Sequence, residues 1–201
     1  MDANNTQKLI STQDAILDAA VNRFQHYGVN KTTMAEIATD VSMSTANLYR
    51  YFKNKEDIVV ACAQRCLNTR TNRLLAVVEY PLMPADEKIR EFFNEILRYT
   101  YDQVSSNHRI NELVNIIADK FKDVVYKKNI IEQDLIRKIL EQGIADHIFE
   151  IDDIQRTTLA VHTSLHIFQL PLAMTVHSFD ALQEMATATS DLILNGLLIK
   201  N

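Results

Sequence analysis

The residues best suited to touching a partner stand in one twelve-residue run, Val41 to Phe52 (VSMSTANLYRYF). Thr45, Ala46 and Asn47 are small or hydrogen-bonding. Arg50 can grip a guanine edge or a phosphate, and Tyr49 and Tyr51 can donate to phosphate. No nucleophile is paired with a base here, and no metal motif occurs. The chemistry on offer is recognition of a nucleic-acid groove, not bond making.

Local signals around the run specify the elements that must position it. Thr33 is a good N-cap with Glu36 three residues on, a capping box that opens a short helix bearing Met34, Ile37, Ala38 and Val41 as an apolar stripe. Ser44 offers a second cap after only Val41, Ser42 and Met43, so the two helices must cross steeply as in a helix-turn-helix. In the second helix Leu48 and Phe52 are four apart and share the inward face, which leaves Thr45, Ala46, Asn47, Tyr49 and Arg50 outside. Lys53 and Lys55 flank Asn54, and Lys55 opens a further helix whose first amides attract anions. A preceding helix over residues 13–27 carries Ile16, Ala19, Ala20 and Phe24 on one face, and Gly28 comes next as its C-terminal cap.

The stretch Thr32-Thr33-Met34-Ala35-Glu36-Ile37-Ala38, followed by Ser44-Thr45-Ala46-Asn47-Leu48-Tyr49-Arg50-Tyr51-Phe52-Lys53-Asn54-Lys55-Glu56-Asp57, closely resembles the N-terminal DNA-binding domain of TetR-family transcriptional regulators. The resemblance implies an all-α homodimer, each subunit placing the helix from Ser44 to Phe52 in a major groove of an operator. It implies a helical domain behind for ligand binding and dimerisation, and release by a small-molecule effector. By the same resemblance Thr33, Tyr49, Tyr51 and Lys55 match phosphate-contacting positions, and Thr45, Ala46, Asn47 and Arg50 match the base-reading surface. Ser42 stands where these proteins usually carry Gly, so a residue with a side chain must take whatever positive φ the turn requires. Thr45 stands where close relatives often carry Pro. The expected domains are 1–55 for DNA and 56–201 for effector and dimer.

The formal net charge of -5 opposes DNA binding only if the whole surface had to be basic. What attracts phosphate is the local field, and Lys31, Arg50, Lys53 and Lys55 cluster with only Glu36 and Asp40 against them. The three glycines, at 28, 143 and 196, are too scattered to build a phosphate-binding loop, so no nucleotide cofactor is expected. The N-terminus lacks a signal pattern and no apolar run reaches membrane-spanning length, which predicts a cytosolic protein with no membrane partner. Cys62 and Cys66, four apart, do not form a CxxC motif.

Beyond the module the spacing predicts helices over 55–79, 86–104, 109–120, 123–146, 152–168 and 179–198, with Asp152 as a cap and breaks at Pro81, Pro84 and Pro171. In the last helix Leu182, Met185, Thr189, Leu192, Ile193, Gly196 and Leu197 form a stripe that one neighbour does not fully cover. Family resemblance makes it half of an intermolecular four-helix bundle, with Leu159, Thr163 and Ile167 contributing; ordinary core gives the same periodicity. Pocket walls are expected from Phe92, Phe93, Tyr99, Leu113, Ile117, Phe121 and Tyr126. The scarcity of bases among them favours an apolar or weakly polar effector. His162 and His166 have a metal-binding spacing without a third ligand, so a polar seam is the simpler reading. The class competing with a regulator is a helical binding protein or enzyme that retains the module; no catalytic motif supports it.

Overall fold

The computed structural model describes residues 3–106 and 109–199, with side chains from residue 11 onward. The chain packs as two units: Met1–Cys66 with Asn107–Val124, and Leu67–Ser106 with Val125–Asn201. Both are all-helical, as the sequence predicts.

The first unit contains α1 (Ala3–Tyr27), α2 (Met34–Asp40), α3 (Thr45–Leu48), the start of α4 (Lys55–Val78) and α6 (Ile110–Lys120). Ile16, Ala20 and Phe24 of α1 meet Met34, Ile37 and Ala38 of α2 and Leu48 and Phe52 beyond it in one buried core. The capping box forms as read: Thr33 Oγ1 accepts from the Glu36 amide, and Glu36 accepts from the Thr33 amide. Ser44 Oγ likewise accepts from the Asn47 amide. Ser42 takes φ 54°, the left-handed conformation expected where relatives carry glycine. The helix after Ser44 is shorter than the sequence suggests. After Leu48 the amides of Arg50 and Tyr51 bond three residues back, to Asn47 and Leu48, so the chain tightens into turns that end with Phe52 buried.

The sequence motif ends at residue 55, whereas the packed unit continues along α4 to Cys66 and recruits α6. Gly28, at φ 88°, lets the chain leave α1 beside α6; a Cβ there would stand 2.6 Å from Glu112 Oε2. Glu112 Oε1 accepts the Asn30 amide at 3.0 Å, and Lys120 pairs with Glu56 at 3.0 Å.

The second unit is built on α5 (Ala85–Ser106), whose buried Ile89, Phe92, Phe93, Ile96 and Leu97 pack against α10 (Phe179–Leu197) and the segment after α8 (Ile154–Ser164). α7 (Lys122–Ala145) adds Leu135, Ile136, Ile139 and Leu140. The sequence placed one helix over 152–168 and a plain break at Pro171. Instead α8 is capped by Asp153 and not Asp152, a 3-10 turn spans His166–Gln169, and Pro171 opens α9 (Pro171–Val176). Proline suits that first helical position because its amide has no partner to lose. The buried ammonium of Lys88 closes the end of α4, donating to Val78 O at 2.6 Å and Gln142 Oε1 at 2.8 Å.

Gly143 shows why one glycine stands inside α7. A Cβ built there would meet the ring of the buried Phe149 at 2.0 Å. Gly143→Ala should therefore lower the melting temperature, since the overpacking cost of about 1–3 kcal/mol outweighs a helix-propensity gain of about 1 kcal/mol. A thermal melt that rises on this substitution would contradict the packing.

Candidate functional site

The outward surface of the first unit is assembled by capping. With Ser44 holding the first turn of α3 and Leu48 fully buried beneath it, Ala46, Tyr49 and Arg50 are exposed and Thr45, Asn47 and Tyr51 half-buried. Lys31 and Lys53 are exposed nearby in sequence. The two acids that would oppose an anion are already engaged. Arg23 reaches both oxygens of Asp40, at 2.5 and 2.9 Å, and lies 3.5 Å from Glu36. The Thr33 hydroxyl and amide, with Arg23, hold the Glu36 carboxyl below its ordinary range, and Arg23 does the same for Asp40.

Two residues matched to phosphate positions have other duties. Lys55 Nζ donates to Val29 O at 2.8 Å, Thr32 O at 2.8 Å and Asn30 O at 3.4 Å, so its three hydrogens all serve the loop between α1 and α2. The Thr33 hydroxyl donates to Glu36 Oε2. No local pattern signals the role of Lys55, because the loop carbonyls are recruited from more than twenty residues away. The start of α4 is secured independently: Asn54 Oδ1 accepts the Asp57 amide and Asp57 accepts that of Lys53.

The expected pocket residues fall in both units. Phe92 and Phe93 are locked in the core of the second unit, Tyr99 is buried there with Arg73 over its ring, and Tyr126 is 67% exposed. Leu113, Ile117 and Phe121 belong to the first unit. The stripe on α10 resolves into two faces. Leu182, Ala186, Ser190, Leu194 and Leu197 point into their own core, so Leu182 is a core residue and unavailable to a partner. Met185, Leu192 and Gly196 are exposed, with Thr189 and Ile193 half-buried, and on α8 and its sequel Leu159, Thr163 and Ile167 are exposed. Between these helices runs a groove of about 430 Å³ lined by Ala160, Val161, Ser164, Ile193 and Gly196 among others.

Sequence reading missed a buried polar cluster. Glu132 on α7 receives Arg70 from α4 on one oxygen, and His162 (3.2 Å), Gln169 (3.1 Å) and Lys128 (3.2 Å) on the other. Burial alone would raise the Glu132 carboxyl; the His162 hydrogen bond with Arg70 and Lys128 outweighs that and holds it at about 2. Burial pushes the Lys128 ammonium down. Only the polar residues at 128 and 132 inside an otherwise amphipathic helix hinted at it. The His162 and His166 rings meet edge to face at 5.3 Å, and no group of three or more ligands that could hold a metal occurs among the described residues. Cys62 is buried, which pushes its thiol up to about 12, out of reach of redox chemistry at neutral pH.

Comparison with known proteins bears on the first unit and the fold. Residues 16–62 match the family model for bacterial regulatory proteins, tetR family. The chain is 26% identical over 149 residues to the transcriptional repressor KstR2 of Mycolicibacterium smegmatis, covering 71% of this chain and 69% of that protein. A transcriptional regulator from Cytophaga hutchinsonii has the same fold, with a TM-score of 0.73 at 21% identity over 92% of this chain and 98% of the other. So does SmeT, the repressor of a Stenotrophomonas maltophilia multidrug efflux pump, with a TM-score of 0.68 at 17% identity over 94% and 91%. SmeT is also known in complex with triclosan.

These placements separate two cations that sequence treated alike. Arg50→Ala should leave the melting temperature unchanged and cost about 1–3 kcal/mol on the preferred duplex, with relaxed specificity. Lys55→Ala should lower the melting temperature by leaving three carbonyls without their donor. A Lys55→Ala protein that melts normally yet loses about one unit of salt slope would make Lys55 a phosphate contact after all.

Proposed function

We propose that the chain, whose residues 16–62 match the family model for bacterial regulatory proteins of the tetR family, is a ligand-responsive repressor that holds a palindromic operator as a homodimer and leaves it when a small-molecule effector binds. The observation that carries this reading is the Ser44-capped α3, which offers Ala46, Tyr49 and Arg50 to solvent while Arg23 neutralises the neighbouring acids. Thr45, Asn47 and Arg50 read bases, and Tyr49 and Tyr51 seat the backbone. KstR2 and SmeT, both named as repressors, support repression, and the triclosan complex of SmeT supports a small-molecule effector.

A single α3 contacts too little duplex for tight binding, so the reading needs two copies. The exposed Leu159, Ile167, Met185 and Leu192, the last 75% exposed, are the apolar surface for that pairing. Leu192 lines the groove between α8 and α10 together with Gly196, which leaves open space, so this groove and Leu192 pack against the same surface of the other copy. To meet successive turns of one duplex face the two reading heads must stand about 34 Å apart. An effector in the second unit acts on the heads through α4, which runs unbroken from Lys55 to Val78 and so has residues in both units.

Duplex DNA from the region upstream of the chain's own gene should be retarded by the purified protein. Leu192→Glu should sediment as a monomer and bind that duplex about 100-fold more weakly, because the two heads no longer share one encounter. A wild-type protein that retards no duplex would end the regulator reading; a Leu192→Glu dimer would end the assigned interface.

A further inference from the structure

The polar cluster of the second unit holds more positive charge than its own acid answers. Arg70 and Lys128 converge on one carboxylate, Glu132, and Arg70 and Glu132 are 7% and 2% exposed. Among the described residues the Arg70 guanidinium has one hydrogen-bond acceptor, a Glu132 oxygen, for five N–H donors. Its other N–H donors are not among the buried unpartnered atoms, so they meet solvent and are open to an entering anion. One turn before His162 on α8, and so on the same face, Thr158 Oγ1 is buried with no partner among the described residues.

Gln169 shows how an anion would fit. Its Oε1 accepts from Lys128 while its Nε2 donates to Glu132, so a neutral amide oxygen occupies the place on the ammonium that a carboxylate oxygen would fill more strongly. Gln169 rides on the 3-10 turn between α8 and α9, outside any continuous helix, which lets it withdraw without breaking one. The cluster reaches solvent on that side: His166 is exposed and the Lys128 side chain is 16% exposed. Leu135 and Ile136 follow Glu132 by one turn of α7, Leu74 follows Arg70 by one turn of α4 and Phe168 precedes Gln169, and all four are buried in the apolar core.

We propose that this cluster binds a small organic carboxylate with an apolar body, the carboxylate displacing the Gln169 amide oxygen from Lys128 and taking the free donors of Arg70 and Thr158. The site rests on the effector reading above and gives that effector its chemical class. From the scarcity of basic residues among its wall candidates the sequence favours an apolar or weakly polar effector; Arg70 and Lys128, outside that set, add a carboxylate to the apolar body.

Isothermal titration of the full chain with sodium acetate, benzoate and octanoate, against benzamide and octanamide, tests the site. Benzoate or octanoate should bind about tenfold or more tightly than its own amide. Gln169→Ala, which removes the resident amide, should bind the acid several-fold more tightly, and Lys128→Met should lose the preference for acid over amide. Equal affinity for acid and amide, a preference that survives in Lys128→Met, or no binding of any acid at about 10 mM by wild type and Gln169→Ala would each overturn the proposal. Should Lys128→Met fail to fold, the wild-type comparison and Gln169→Ala decide alone. Duplex retardation run in parallel keeps the readings apart. DNA released only by a non-carboxylate would end this site and leave the regulator standing. Carboxylate binding by a protein that holds no duplex would do the reverse.

Discussion

Between Asp40 and Ser44 the chain has three residues in which to turn one helix across another, and Ser42 at φ 54° is where it does so. The left-handed backbone costs a non-glycine residue about 1–2 kcal/mol, and its neighbours hold it there. The Met43 amide bonds Ala38 O, the Ser42 amide bonds Thr39 O, and Ser44 caps the first turn of α3. With Leu48 pinned in the core, the outer face of α3 has one orientation. The recognition surface depends on that short turn, because α3 is too short to hold its direction by itself.

Charge is distributed on the same logic in both units: Arg23, Lys55, Arg70 and Lys128 are tied to internal partners, and in the proposed reading the donors left over face a ligand. In the first unit Arg23 and Lys55 are engaged by acids and loop carbonyls, which leaves Arg50, Lys31 and Lys53 to the outside field. In the second, Glu132 absorbs Arg70 and Lys128 incompletely. A net charge of -5 is therefore a poor guide to partners. The cations that matter are those left without an internal acceptor.

Local rules made the trihelical module legible. Caps and the burial of Leu48 and Phe52 depend on residues a few positions apart, so spacing specifies them, whereas the positive φ at Ser42 is implied only by the resemblance to a family that usually has Gly there. The wider assignments depend on contacts across long separations, and there periodicity misleads. Leu182 and Leu192 obey one three-four pattern, yet Leu182 is fully buried and Leu192 largely exposed. Phe92 and Phe93 read as walls and are core, and Lys55 reads as a phosphate ligand while serving carbonyls over twenty residues away. The Glu132 cluster draws on α4, α7, α8 and the turn after it, and no window of sequence contains it.

The central claim is that paired copies read duplex DNA through α3. Selection of bound duplexes from a random pool by the full-length protein, with sequencing of the bound fraction, tests it most directly. The account predicts enrichment of an inverted repeat whose half-sites are centred about 34 Å apart. No enrichment over the starting pool, or enrichment of a single unpaired half-site, would contradict it.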